Sequence, residues 1–420
     1  MKEIDVAIYE DIVIVGAGIS GLTTALGLHR LGVRSVVLES SESLKFTGFA
    51  LTTWPNAWRA LDAVGVGDLL RKNSIQTEGH VTLSKSLPIF KVVSSGSIPL
   101  GTEQSHLLGD LLRFNFESRC IKRKDLLETL ESELPRGTIR YSSEVVSIEE
   151  TGSFKLVHLA DGSVVKTKVL IGCDGGNSMV AKWLGIEGPV STGRSAIRGL
   201  ANYPDGHGFE PKFHVYSTWC VHCGFVPCDE KSLYWFCNFS PSFHQYNEEN
   251  QDPLSMIKFV ARQLRDAPLN ISNIVERTEL DCICCTPLRL KLPWNFLLEN
   301  SMKDNVCVVG DAFHPMTPAI GQGGGSSLED SVVLARCLGK ALTTSSVEEE
   351  YIRVEKGLKM YVKERRWRIL SLLTAAYIVG FVQSSGNKVI SFLRKRFLTK
   401  NLVKIMARMG DFDCGDLTIP

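Results

Sequence analysis

The sequence predicts an α/β protein that is interrupted by a mostly antiparallel sheet and closed by a helical C-terminal segment. Three observations predict it. An apolar strand, a glycine-rich turn and a helix follow one another within Asp11–Ser40. Alternating, aromatic-rich strand patterns fill residues 191–295. The strand, turn and helix order then returns at Asn305–Asp330. The expected organisation is a first nucleotide-binding segment at residues 1–190, a sheet domain for the substrate at 191–295, a return segment at 296–345 and a helical region at 346–420.

Composition sets outer bounds. The chain has 420 residues, 44% hydrophobic and 22% charged, which is ordinary for soluble globular proteins. Its formal net charge of +1 offers no bulk electrostatic case for nucleic acid or a membrane. Twelve cysteines could belong to a secreted disulfide framework. The first residues, MKEIDVAIYEDIVIVG, argue against that. They carry Glu3, Asp5, Glu10 and Asp11 and lack the basic, apolar and cleavage regions of a signal peptide. The cysteines are read as reduced and buried, and the protein as cytoplasmic. No apolar run reaches the ~18 residues of a membrane span. The nearest, Leu370–Val382, reads as a buried helix. The basic stretches Lys363–Arg368 and Arg394–Phe397 read as solvated helix faces, with membrane-surface contact through the C-terminal helices as the weaker reading.

The first strand is Ile12–Val15, and Gly16-Ala17-Gly18-Ile19-Ser20-Gly21 after it fits GxGxxG. Leu22, Ala25, Leu26 and Leu28 give a helical pattern that stops at Gly32, and a second strand, Ser35–Leu38, ends at Glu39. Each part has a physical reason. The first glycine permits the tight turn, the second lets backbone approach a pyrophosphate, and the third lets helix and strand pack closely. The helix N-terminus offers free N–H groups and the positive dipole end to phosphate. A carboxylate at the end of the second strand accepts hydrogen bonds from a ribose diol. Dinucleotide binding follows, although the motif alone does not separate FAD from NAD. The acid disfavours the 2′-phosphate of NADP at this position.

Further on, Trp54–Leu61 starts a helix with Pro55 in its first turn. Ile121–Leu130 reads as an amphipathic helix with a basic start, where Arg123 meets a phosphate or simply solvent. Residues 138–172 turn to strands, with Asp161-Gly162 as a hairpin turn. The last of these ends in Cys173-Asp174-Gly175-Gly176, an acid–glycine pair that brings the chain back toward a nucleotide. In the sheet domain, one helix is expected at Pro253–Asp266. CVHC at Cys220–Cys223 and DCICC at Asp281–Cys285 invite a zinc reading. Only the first has C-x₂-C spacing, and strand alternation sends neighbouring residues to opposite faces. No metal is expected.

GAGISG with Glu39, the WPNA helix, KRKDLLETL, GCDGGNS and GDAFHPMTPAIGQGGGSSLED occur in an order that resembles the single-component FAD-dependent aromatic monooxygenases. That group contains the p-hydroxybenzoate and salicylate hydroxylases. WPNAWRAL, VAKWLG and YVKERRWR look most like its plant branch. The resemblance spans about residues 9–385 and implies a Rossmann-like FAD-binding domain. It further implies FAD as cofactor, NAD(P)H and O2 as co-substrates, a small-molecule substrate, and oxygen transfer through a flavin C4a-hydroperoxide. By resemblance, Gly16, Gly18, Ser20 and Gly21 would face the pyrophosphate, Glu39 the adenosine ribose, and Arg123 would reach back to FAD. Asp174 and Gly175 would serve FAD and NAD(P)H, and Asp311 the ribityl chain. Pro318 would sit beside the reactive carbon of the flavin, with Gly321, Gln322, Gly323 and Gly324 along the isoalloxazine.

Three positions depart from the group. Ala181 and Lys182 follow the acid–glycine pair where an arginine is common. Gly325 stands where Asn is common in GQGxN. Lys45 stands where arginine is common. The alternatives are a flavin oxidase or dehydrogenase without oxygen insertion, and a flavin-binding protein with weakened catalysis. A halogenase is disfavoured because WxWxIP is absent. Phe213, Phe225, Tyr234 and Phe236 are expected as pocket walls, about half of them facing away. His314 is read as shaping a turn rather than as a base. The late glycine cluster is then no second dinucleotide site. It is the flavin end of the first.

Overall fold

The computed structural model describes residues 8–84, 90–92, 117–217, 221–240, 252–265, 267, 271–344, 348–384 and 408–417. Cys220 and Arg394–Phe397 lie outside them. Two large sheets organise the chain. In the first, the strands Ile8–Val15, Val164–Gly172 and Val306–Val308 lie side by side and parallel, with Val36–Leu38 on the far edge of Ile8–Val15. Toward their carboxyl ends these strands are apolar runs. Ile12, Val13, Ile14, Leu170, Ile171, Val306, Cys307 and Val308 are all buried, as expected for a parallel sheet covered on both faces. Helices Ile19–Arg30 and Gly323–Thr343 cover one face together.

The second sheet has seven strands in the order Thr278–Leu290, Val190–Asn202, Ser232–Phe239, Val221–Pro227, Lys212–Ser217, Gly79–Ser84 and Phe90–Val92. Most neighbours are antiparallel, and Gly79–Ser84 pairs parallel with Lys212–Ser217. The strands at 79–92 join this sheet although they fall within the span that the sequence assigned to the first segment. Helix Pro253–Gln263 ends three residues before the expected Asp266, and a further short helix, Ile271–Glu276, packs on the same face.

Strand alternation sorts the aromatic residues. Phe225 sits with Trp235, Cys237 and Phe239 under those helices. Phe213, Tyr234 and Phe236 lie on the opposite face with Phe49 and Ala50 of the first segment. Phe225 is therefore not a wall on that side.

The C-terminal helix, Glu350–Ser384, runs for 35 residues. Among the described residues no helix is long and apolar enough to cross a membrane. Within Leu370–Val382, Leu372, Ala376 and Val379 pack on Ile320, whereas Ile378 and Phe381 stay about half exposed, so the expected buried helix is buried on one face only. The basic stretch before it is a correction. Arg365 is fully buried, and Arg368 is only 10% exposed at its side chain. Both turn inward to Glu329, and Arg365 also to Asp330, on Gly323–Thr343. Trp367, 70% exposed, keeps the outer face.

Candidate active site

The site grows from the carboxyl ends of three adjacent parallel strands. Gly16 follows the first, Cys173-Asp174 the second and Gly310-Asp311 the third. The crevice outside such strand ends is where open α/β sheets bind ligands. Local hydrogen bonds fix the ends to one another: Cys173 N donates to Val15 O at 2.8 Å, and Val309 N to Gly172 O at 2.9 Å.

Glycine is obligatory at two points of the first turn. Gly16 has φ +99, and a Cβ on it would lie 2.6 Å from the Cys173 carbonyl oxygen. A Cβ on Gly21 would lie 1.9 Å from the Gly16 oxygen. Gly18 differs, because its missing side chain faces open space with nothing within 4 Å. That gap lies beside the start of helix Ile19–Arg30, whose unpaired first amides suit an anion. Glu39 is anchored rather than dangling. Its Oε2 accepts from Ala17 N at 2.8 Å and its Oε1 from Ser41 N at 2.9 Å. Burial alone would raise its carboxyl, but these amides hold it below its ordinary value. A carboxylate accepts about four hydrogen bonds, which leaves capacity for a ribose diol.

The late glycine segment lies directly against this turn. A Cβ on Gly310 would meet Ser20 Oγ at 2.1 Å, and Ser331 Oγ donates to Ser20 O at 3.0 Å. Ser20 is thus the seam between the early and late halves of one site. The helix begins at Gly323, inside the glycine cluster. A low intrinsic helix propensity is overridden there by packing, since a Cβ on Gly324 would lie 2.7 Å from Leu51 Cδ1. Gly321 takes the left-handed conformation, φ 62, and turns the chain from Pro318–Ile320 into that helix. Pro318 and Asp311 both line a cavity of about 230 Å³, with Arg198, Thr286, Arg289, Asn177 and Met316 among the other walls. The walls around Asp311 push its carboxyl above the ordinary value, against the pull of His314 and Arg123. Its side-chain surface still opens onto the cavity.

Several buried polar atoms here have no protein partner: Arg123 Nε, Asp174 Oδ1 and Gln322 Nε2. Leaving such atoms unpaired is costly. With the Gly18 gap, they fit a large polar cofactor lying across the strand ends. Burial is the main influence on Arg123 and lowers the stability of its charge; Asp311 opposes this. The other oxygen of Asp174 is committed locally, with Oδ2 accepting from Met179 N at 2.7 Å. Ser178 Oγ accepts from Ala181 N at 2.8 Å. The turn is therefore held without an arginine at 181, and Ala181 is core.

Sequence reasoning missed a buried network behind the flavin segment. Asn56 Nδ2 donates to Gln322 Oε1 at 2.9 Å and also to Glu329. Glu329 pairs with Arg365 at 2.6 Å and Arg368 at 2.8 Å. Asp330 pairs with Arg365 at 2.6 Å, with His314, and accepts from Gly310 N at 3.1 Å. His314 is fully buried in this network, so it shapes the turn. The available signal was the acidic pair Glu329-Asp330 matched to Arg365 and Arg368, three residues apart and hence on one helix face. Gly325 also gains a reason. Its absent Cβ would lie 3.0 Å from Asn56 Nδ2 and 3.6 Å from Ala57 Cβ, so the Asn56 amide fills that space. Gly325→Asn is expected to overpack the site and cost about 1–3 kcal/mol, read as a lower urea midpoint.

The chain matches the FAD binding domain family over residues 9–376. It is 48% identical over 415 residues to Monooxygenase 2 of Arabidopsis thaliana, covering 97% of this chain and 98% of that protein. It is 28% identical to 3-hydroxybenzoate 6-hydroxylase of Klebsiella oxytoca, covering 78% and 79%. Its fold is similar to that of Klebsiella pneumoniae HpxO solved with FAD and uric acid, with TM-score 0.75 at 18% identity over 97% and 96% of the two chains. A gap at Gly18, unpaired atoms at Arg123 and Gln322, and two interlocked glycine segments all call for one extended cofactor, and with these matches the chain belongs to the FAD-binding monooxygenase family.

Proposed function

We propose that this protein uses NAD(P)H and O2 to hydroxylate a small aromatic substrate that carries an anionic group. The observation that carries this reading is the shared cavity of about 230 Å³, where Pro318 and Asp311 on the flavin side face Arg198 on the sheet side. Bound FAD supplies hydride acceptance and the activation of O2. The chain's own residues do the rest. Gly16, Gly18, Ser20 and Gly21 form the pyrophosphate turn, with Glu39 at the adenosine ribose. Asp174, Gly175, Asp311 and Arg123 hold the middle and ribityl portion. Pro318, Gly321, Gln322, Gly323 and Gly324 line the ring. The N-terminal amides of helix Gly323–Thr343 would favour negative charge on a reduced ring held against Gly323 and Gly324. Phe213, Tyr234 and Phe236 keep water from the substrate side.

Arg198 Nη1 donates to Thr286 Oγ1 at 3.2 Å, which aims the guanidinium, and the remaining donors suit a carboxylate. Arg194 stands four residues earlier on the same strand, beside the register shift at Ser191–Ser195. Burial dominates its setting. The benzoate in the name of the Klebsiella oxytoca relative fits such a pair.

The test follows NAD(P)H oxidation with a panel of hydroxybenzoates and uncharged phenols. Stimulated oxidation with an oxygenated acid as product is expected. Arg198→Ala should raise KM for the acid about 10- to 100-fold, the worth of one charged hydrogen bond, with little change for uncharged phenols. Stimulated oxidation that yields hydrogen peroxide alone would turn the reading toward an oxidase.

A further inference from the structure

We propose that Cys120 and Cys228 are a reversible disulfide site that clamps the flavin-bearing part of the chain to the substrate sheet, with hydrogen peroxide as oxidant. The two sulfur atoms lie 3.4 Å apart across a sequence separation of 108 residues. Cys120 sits on the strand Arg119–Lys122, which pairs with Ala50–Thr53. Cys228 follows Val221–Pro227 in the middle of the second sheet. Both are buried in one small cluster with Val226 and Tyr234, and Phe49, Leu200 and Phe236 pack against it.

The seam is already aligned by other bonds. Ile75 N donates to Cys228 O at 3.0 Å, and Lys122 Nζ pairs with Asp229 Oδ2 at 2.8 Å. These contacts fix the backbone on both sides of the sulfur pair. Closing the gap to a bond of about 2.05 Å needs side-chain rotation and a small approach. Arg123 directly follows Lys122, so a covalent clamp here would restrict the element that presents that arginine to the flavin region.

The chemistry balances without a metal. One cysteine reacts as its thiolate: the sulfur attacks hydrogen peroxide, the O–O bond breaks, a sulfenic acid forms, and the departing hydroxide takes up the thiol proton as water. The second thiol attacks that sulfur, the S–S bond forms, and a second water leaves with the displaced hydroxyl and the thiol proton. Two thiols lose two electrons and one peroxide gains them. Burial pushes the Cys120 thiol well up, with the neighbouring Cys228 adding to it. Burial keeps the Cys120 thiol protonated and shields both sulfurs, which slows their reaction with every oxidant, so the pair answers only to raised peroxide and is closed to bulky charged reagents. Peroxide is small and uncharged, so selectivity for it over 5,5′-dithiobis(2-nitrobenzoate) is part of the proposal.

The full FAD-loaded chain is treated with increasing peroxide, alkylated under denaturing conditions, digested without reductant and mapped by mass. The expected result is a linked peptide pair containing Cys120 and Cys228, absent before treatment, lost with dithiothreitol, and not formed by the bulky reagent on folded protein. A rise of several degrees in Tm should accompany it and disappear in Cys228→Ser. The proposal is overturned if the more exposed Cys282 oxidises while Cys120 and Cys228 are recovered alkylated. It is equally overturned if Cys120 is found linked elsewhere or as a sulfinic acid. The peptide map does not depend on the monooxygenase reading. Only a dithiothreitol-reversible fall in substrate-stimulated turnover does, so the two can fail separately.

Discussion

Arg365→Met is expected to destabilise the protein by about 3–5 kcal/mol and to lower FAD retention with it. The cost of removing one partner of a buried ion pair has that size because the remaining charge stays uncompensated. Here two carboxylates depend on the guanidinium. Glu329 and Asp330 each lie 2.6 Å from it, and all three side chains are fully buried. Burial alone would raise both carboxyls, but Arg365 and then Arg368 bring Glu329 below its ordinary value, and His314 and then Arg365 do the same for Asp330.

The sign of the pH effect follows from that direction. In the wild type, these depressed carboxylates contribute stability that is fully present above the unfolded value of about 4. It is lost as pH falls through the lower folded values. In Arg365→Met, Glu329 loses its main cation and Asp330 one of its two, so burial weighs more and their folded values rise. Protonation then relieves the variant, so its deficit against wild type should shrink on acidification from pH 7 to about 4.5. Urea unfolding at both pH values reads this directly. Arg365→Lys should recover only part of the loss, since an ammonium lacks the planar fork that meets two carboxylates. A deficit that is constant with pH would mean that packing, not charge, holds the two helices.

The second large effect separates cofactor binding from folding. Gly18→Val should leave the apo fold near wild-type stability, because no protein atom lies within 4 Å of its would-be Cβ and its φ of −80 suits any residue. FAD affinity should fall about 100-fold or more, since the added groups occupy the gap that admits the pyrophosphate and displace its amide hydrogen bonds. Gly21→Val should behave differently. Its Cβ would lie 1.9 Å from the Gly16 oxygen, so strand and helix must separate and folding itself suffers. Circular dichroism melts of the apo proteins, set beside FAD fluorescence titrations, distinguish the two.

The legible parts of this fold were those written locally. The strand, GxGxxG turn, helix and Glu39 follow one another within Ile8–Glu39, and each is dictated by neighbours in sequence. The late segment was legible for the same reason: Val306–Val308, the Gly310-Asp311 turn and Pro318 form a short consecutive program. What escaped was the support behind it. Arg365 reads as one more cation in a basic run, and only tertiary packing reveals that it points inward to residues 35 positions away. Asn56 stands in a recognisable WPNA helix, yet its amide is committed to Gln322, 266 positions later. The membership of residues 79–92 in the second sheet was equally hidden, since pairing with Lys212–Ser217 leaves no local trace. Phe225 shows the limit of alternation: it gives two faces but not which one meets the flavin side.

Gly16–Glu39 and Cys307–Asp330 are proposed to hold opposite ends of a single FAD. Calorimetric titration of FAD into the apo chain tests it most directly. One FAD per chain is expected, with affinity lowered at that same site by both Gly18→Val and Asp311→Ala. Two independent dinucleotide sites, or FAD binding that is indifferent to either substitution, would contradict it.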